Sequence, residues 1–295
     1  MNSLEVVITE ENSGRSVLSV LKNSFCASGT LIKRLKTENA IFLDGEPVHT
    51  NVCVKCGQCI SIVCSEPTEK GETPSFPILY EDDDLLIVDK PAGMLVHATK
   101  ANFEETTVAS EVKRYLNSSF HPVNRLDRGT SGAMVIAKNG YIHNLLKNTL
   151  HTDSFLRIYL AVVCSCPSQR SGFIRLPIGR DEISPIKRVI DTESGQEAET
   201  YFEVLNENGV FSLVKVVPHT GRTHQIRVHM AAIGCPLAGD FLYGTECKSL
   251  ITRCALHSYA VKLNHPLTHE IITVKSPLPD DMQKLCCAVD LPKDF

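Results

Sequence analysis

His121-Pro-Val-Asn-Arg-Leu-Asp-Arg-Gly-Thr-Ser-Gly132, followed by the apolar run Ala133-Met-Val-Ile-Ala137, is the densest stretch of this chain. One carboxylate, Asp127, sits between Arg125 and Arg128, and Gly129 to Gly132 supply the small, turn-forming residues of a tight loop that feeds a strand. Flanking arginines would keep that carboxylate ionised and available as a nucleophile or base. The same spacing also describes a loop aspartate held in surface salt bridges, which are common and weak.

Outward from this loop the chain alternates apolar and polar residues in many short runs. Strands are expected at Leu85–Val88, Ala133–Ala137, Ile158–Val163, Thr200–Leu205, Phe211–Val217, Ala255–Val261 and Glu270–Val274. Helices are expected at Thr107–Leu116, Gly140–Leu150 and Thr223–Ile233, the last closed by Gly234 and Pro236. Strands in succession with few helices, and no regular βαβ alternation, predict an α+β fold around a mostly antiparallel or mixed sheet. Ahead of it, Ser16–Phe25 and Thr30–Lys36 read as short helices. A strand, a turn at Asp44-Gly45 and a strand at Cys59–Val63 complete a small mixed unit. Glu66–Pro77, rich in Pro, Glu, Thr and Gly, reads as a linker. The expected division is 1–70, a linker over 71–77, and 78–295.

With 295 residues, 43% of them hydrophobic and 22% charged, the chain has an ordinary globular balance, and no apolar run approaches a membrane span. Its start lacks a basic segment followed by an apolar one, so a cytoplasmic protein is expected. A net charge of −4 argues, taken alone, against nucleic acid. The average hides a polarised chain. From His121 to Arg180 there are eight Lys/Arg against two Asp, and from Asp181 to Gly209 eight acids against two basic residues. Such a division permits an anion-binding face on a mildly acidic protein.

A second dense segment is Pro218-His-Thr-Gly-Arg-Thr-His-Gln-Ile-Arg-Val-His-Met230. On a helix starting near Arg222, His224 and Arg227 share one face while Ile226, Met230 and Ile233 share another. The three histidines fall five apart, which does not gather them on one face, so no metal is expected here. Twelve cysteines in a cytosolic chain read as thiols or metal ligands. Cys53, Cys56, Cys59 and Cys64 have a spacing that zinc or iron–sulfur sites use. The same stretch also reads as strand, Gly57 turn and strand, in which small apolar thiols need no further role.

Arg125-Leu-Asp-Arg-Gly-Thr-Ser-Gly132, with Ala137-Lys138 after it, resembles the signature of the RluA-type RNA pseudouridine synthases. Asp89-Lys-Pro-Ala-Gly-Met-Leu-Val-His97, Arg157-Ile-Tyr-Leu-Ala161 and Thr220–Met230 running on to Asp240 and Tyr243-Gly244 resemble three further blocks of that family, in its order. The resemblance spans Ile78 to about Asp290 and implies that family's fold and its reaction, the isomerisation of a flipped uridine to pseudouridine with no cofactor or metal. It implies Asp127 as the attacking carboxylate, Tyr159 stacked on the uracil, and Arg227 paired with Asp127. Arg125 would fill the space the base vacates, and Arg128, Arg222 and His224 would touch phosphates or support the loop. The first unit is similar to the small RNA-binding domain named after small-subunit ribosomal protein S-four, with Lys33, Arg34 and Lys36 on its basic helix. The partner implied is structured RNA, ribosomal RNA first and tRNA second, bound by a monomer. One departure is Asn124, where the family commonly has His; Asn cannot titrate near neutrality. The alternatives are a non-catalytic RNA-binding protein, which predicts a damaged active site, and an RNA-binding module holding zinc on the four N-terminal cysteines. A zinc base deaminase is excluded because its His-x-Glu and Pro-Cys-x-x-Cys pattern is missing.

Overall fold

The computed structural model describes residues 3–25, 27, 29–63, 70–99, 102–246 and 248–292. Cys64 and residues 66–69 of the expected linker lie outside them. Four short strands, β1 (Ser3–Val7), β2 (Ile41–Leu43), β3 (Glu46–Pro47) and β4 (Cys59–Val63), form one sheet in the order β1-β4-β2-β3. Helices α1 (Val17–Asn23) and α2 (Gly29–Thr37) pack on it through Val17, Val20, Leu21, Ile32 and Leu35. Asp44 and Gly45, both at positive φ (52° and 86°), turn β2 into β3, a geometry that favours such residues.

The rest of the chain contributes β5 (Ile78–Glu81), β6 (Leu85–Lys90), α3 (Val108–Leu116), β7 (His121–Pro122), β8 (Ser131–Ala137), α4 (Gly140–Thr149), β9 (Phe155–Cys164) and β10 (Ser171–Arg175). It continues with β11 (Ile178–Arg180), β12 (Arg188–Ile190), β13 (Glu199–Glu207), β14 (Phe211–Pro218), α5 (Gln225–Ala232), β15 (Leu256–Asn264), β16 (Ile271–Lys275) and α6 (Asp280–Ala288). Ten strands make one sheet, running β10-β13-β14-β9-β15-β8-β6-β5, with β16 on β15 and β7 on β8; β11 and β12 form a separate ribbon. Of the strands described in this sheet only β8 and β15 pair in parallel, so the sheet is mixed and mostly antiparallel, as expected.

Both faces of that sheet are covered. Val88, Met134, Ile136, Val214 and Val216 meet α3 and α5 on one side through Val108, Val112, Ile226 and Met230. On the other, Leu85, Ile87, Val135 and Val261 share a cluster with Val17, Leu21, Phe25 and Tyr141, while Leu160, Val162 and Leu213 meet Met282, Leu285 and Cys286 of α6. The small sheet and the large one are thus joined by continuous apolar packing, with the Phe25 and Tyr141 rings edge to face at 6.3 Å.

Strands β1, β5, β7, β10, β11 and β12 were not among those expected, and three further segments differ from expectation. Residues 70–77 carry no helix or strand, yet they are docked: Phe76 is buried, the Ser75 hydroxyl donates to Glu111 at 2.8 Å, and Gly71 N–H donates to the Tyr115 carbonyl at 2.8 Å. Helix α5 begins at Gln225, later than the expected Thr223, because Gln225 turns back to accept from the Thr220 hydroxyl and Arg222 N–H at 2.7 and 2.9 Å. His224, just before it, takes the left-handed conformation (φ 58°). Helix α6 was not expected at all.

Candidate active site

The loop 123–130 crosses from β7 to β8 and is fixed from several sides. Asn124 is buried and its side-chain oxygen accepts from Val135 N–H at 2.8 Å, so the residue that departs from the family pattern holds the loop to β8. Gly132, at φ +110°, lets β8 lie against β15; a Cβ there would stand 2.3 Å from the Ser258 carbonyl oxygen. Fully buried Lys90 donates to the carbonyls of Pro91, Met94 and Arg128 at 2.9, 2.8 and 3.3 Å, stitching the loop after β6 to the loop that carries Asp127. Burial pushes Lys90 down to about 8, reinforced by the nearby Arg253 and opposed by Asp127.

Behind the loop, Arg253 reaches across three segments. Its Nε and Nη2 grip Asp281 at the start of α6 at 2.6 and 2.9 Å, and its Nη1 donates to the Gly129 carbonyl at 2.9 Å, two residues past Asp127. Buried His257 completes the support. Nε2 donates to the Ser276 carbonyl at 3.2 Å, which leaves Nδ1 to accept from the Ser131 hydroxyl at 3.0 Å. Burial pushes His257 down to about 4. Such a histidine is neutral when folded and binds a proton only on unfolding, so its contribution is full above the unfolded value of about 6.5 and is lost as pH falls toward 4. Urea titrations are therefore expected to show the stability lead of wild type over His257→Asn shrinking by up to about 3 kcal/mol between pH 7 and pH 4. A constant difference across that range would contradict it.

In front of the loop lies an open pocket of about 480 Å³ lined by Asp127, Arg125, Tyr159, Arg157, Arg222, His224 and Arg227, with Leu126, Leu256 and Ile226 among its apolar walls. Asp127 is about a third exposed (32%), and its two nearest cationic or imidazole partners are His224 Nε2 at 3.9 Å and Arg227 Nη1 at 4.0 Å. Tyr159, buried in β9, supplies the wall, and burial pushes its phenol up. His224 Nδ1 meets the Tyr243 hydroxyl at 2.8 Å, and that hydroxyl also accepts from Arg188 N–H at 2.8 Å. The hydroxyl proton then goes to Nδ1, which leaves Nε2–H turned to Asp127. Burial lowers His224, with Asp127 pulling the other way, so the ring is neutral around pH 7.

One sequence expectation is corrected here. Arg128 does not flank Asp127 as a counter-charge: its Nε donates to the Gly93 carbonyl at 3.0 Å and its Nη2 pairs with Glu105 at 3.1 Å. Arg227 does pair with Asp127, at 4.0 Å, while its closer bonds go to fully buried Asp240, bidentate at 2.7 and 2.6 Å, with the Tyr243 ring 4.9 Å from its guanidinium carbon. Asp240 and Tyr243 stood in the quoted blocks without a role; nothing in the spacing tied Asp240 to Arg227. Arg125 is exposed at the pocket's edge, and Arg222 donates through Nε to the Glu197 carbonyl at 3.0 Å. Lys33, Arg34 and Lys36 lie on α2 and do not line the pocket; Lys33 and Lys36 are exposed, and Arg34 pairs with Glu38 at 3.4 Å. Cys53 and Cys56 are exposed and Cys59 is half-buried, and no group of three potential metal-ligating side chains gathers among the described residues.

A family model described as RNA pseudouridylate synthase matches residues 84–232. The "Uncharacterized RNA pseudouridine synthase YhcT" of Bacillus subtilis is 37% identical over 293 residues, covering 96% of this chain and 96% of its own. "Ribosomal large subunit pseudouridine synthase D" of Nitrosomonas europaea is 34% identical over 249 residues, covering 79% of this chain and 72% of its own. Among solved structures, "Human RNA Pseudouridylate Synthase Domain Containing 4" superposes with a TM-score of 0.60 at 22% identity over 74% of this chain and 94% of that one, a likeness of fold.

Proposed function

Because the chain belongs to the RNA pseudouridine synthases, we propose that Asp127 is the carboxylate through which it isomerises uridine to pseudouridine, with a large-subunit ribosomal RNA as substrate. The enzyme is an isomerase: the bond from N1 of uracil to C1′ of ribose breaks, a bond from C5 to C1′ forms, C5 gives up a proton and N1 ends with one. Nothing is oxidised and no group is donated from outside, so a positioned carboxylate suffices as nucleophile, either at the sugar or at the base. A uridine in structured RNA must first be extruded, which costs a few kcal/mol of unstacking.

The observation that carries this reading is Asp127 itself, a partly exposed carboxylate at the mouth of a pocket with a buried tyrosine in its wall and two donors about 4 Å away. In it Tyr159 stacks on the uracil, Arg227 and the Nε2–H of His224 steady the charge on Asp127, and Arg125 enters the gap left in the RNA. The names of relatives such as the Nitrosomonas europaea protein support ribosomal RNA. We extend the proposal to α2, whose exposed Lys33 and Lys36 fit an RNA-binding role for the small first unit, and to a cytoplasmic monomer.

Mapping pseudouridines in total RNA from cells with and without the gene tests the reading. One or a few sites in large-subunit RNA are expected to vanish and to return with wild-type protein but not with Asp127→Asn. Sites lost from tRNA instead would overturn the ribosomal assignment, and an unchanged map would overturn the function.

A further inference from the structure

Three arginines lie with their guanidinium groups largely buried around the catalytic loop, and two of them have a carboxylate. Arg227 holds Asp240 and Arg253 holds Asp281. Arg157 holds none. It sits on β9 two residues before Tyr159 and is 5% exposed, and it lines the same pocket. Its Nη2 donates to the carbonyls of Pro218 and Thr220 at 2.9 and 3.2 Å, but its buried Nε has no hydrogen-bond partner, and no carboxylate pairs with it among the described residues. Of five guanidinium N–H donors, two are accounted for. Burial lowers its pKa, although a guanidinium keeps its charge in proteins. A buried cation without a counter-charge is costly, and a fold that retains one beside a cavity has left the counter-charge to whatever enters.

The surroundings fit an anion. Gly221 faces the guanidinium, where a Cβ would lie in ordinary contact, 3.4 Å from Nη1 and 3.6 Å from His151 Cε1. Arg222 and His151 stand on the same rim. Burial keeps His151 low, and Arg157 and Arg222 both press in that direction, so an arriving negative charge would relieve all three groups.

We propose that Arg157, at the corner beside Gly221, is the seat of one phosphodiester group of the RNA, an anion subsite in the pocket distinct from Asp127. The inference rests on RNA being the substrate. A nucleotide drawn into the pocket carries its phosphate with it, and a cationic corner and an anionic one fix which way round it enters. Charge-assisted hydrogen bonds of this kind are worth about tenfold or more in affinity.

The test has two arms. In the first, inorganic phosphate is titrated at constant ionic strength into wild type, Arg157→Gln, Arg157→Lys and Asp127→Asn, with melting temperature and phosphorus NMR linewidth as readouts. Phosphate is expected to raise the melting temperature of wild type, Arg157→Lys and Asp127→Asn and to leave Arg157→Gln unmoved. No response in wild type, or an equal one in Arg157→Gln, overturns the subsite. The second arm asks whether the phosphate belongs to RNA, using ribosomal RNA fragments with single neutral methylphosphonates. One position should cost wild type about tenfold in affinity and Arg157→Gln nothing. Equal losses in both proteins at every position overturn the inference, and the equally uncharged Arg157→Met serves in place of Arg157→Gln should the latter not fold. A phosphate response that depends on Arg157 in a protein that isomerises no uridine would instead leave the subsite standing and fell the proposed reaction.

Discussion

Asp127→Asn is expected to yield a folded protein that binds RNA and forms pseudouridine at a rate lower by on the order of 10⁴ or more, the scale on which removing a covalent or charge-bearing catalytic group acts. The replacement preserves shape and removes the charge. An amide does not attack carbon as a carboxylate does, and it leaves the Nε2–H of His224 and Nη1 of Arg227 facing a neutral group at about 4 Å. Stability should move by less than about 1 kcal/mol, because Asp127 is a third exposed and neither contact is a close hydrogen bond. Affinity for RNA should hold or rise, since the variant takes a negative charge from the pocket we propose as the seat of a polyanion. Mass spectrometry of nucleosides from a modified transcript, with melting and filter-binding controls, checks all three. Residual activity above about 1% of wild type would show that Asp127 is not the attacking group.

The loop around Asp127 was legible because its information is local. Turn residues, a single carboxylate and the apolar run that follows lie within seventeen residues, and β8 forms where that pattern placed it. The strands β9, β13, β14 and β15 were equally readable from alternation and apolar runs. What the sequence hid is whatever tertiary folding decides. Arg128 is next to Asp127 in the chain yet pairs with Glu105, and the carboxylate that commands Arg227 is thirteen residues away beyond the end of α5. Spacing also conceals the missing partner of Arg157, since an absence of charge in three dimensions has no signature in one. Helix α6 did carry a signal that went unused: Pro279 precedes a first turn of Asp280 and Asp281, a helix-start pattern. The second of those aspartates anchors Arg253, and so the C-terminal helix bears on the loop that holds Asp127.

Removing the Asp240 carboxylate should damage the protein more than removing Asp127. Asp240 is fully buried and accepts four bonds: two from Arg227, at 2.7 and 2.6 Å, and two from the N–H groups of Leu242 and Tyr243 at 3.0 and 3.3 Å. Burial alone would lower the pKa of Arg227, but the hydrogen bonds and charge of Asp240 more than reverse this and raise it above the ordinary arginine value. Asp240→Ala leaves that guanidinium buried with its nearest carboxylate 4.0 Å away on Asp127, an expected loss of about 3–5 kcal/mol. In a chain of this length that is on the order of 10 °C in melting temperature. The activity should fall as well, at least tenfold at temperatures where the variant is still folded, because an unclamped Arg227 turns to form a close pair with Asp127 and ties up the carboxylate we propose as the attacking group. Arg227→Met combined with Asp240→Leu separates the two effects: it removes both charges together and should recover most of the stability without recovering the rate. Urea midpoints and single-turnover rates on wild type, Asp240→Ala and the double variant decide it. If Asp240→Ala melts with wild type, or if the double variant turns over at the wild-type rate, then the buried pair neither stabilises this fold nor positions Arg227 for catalysis.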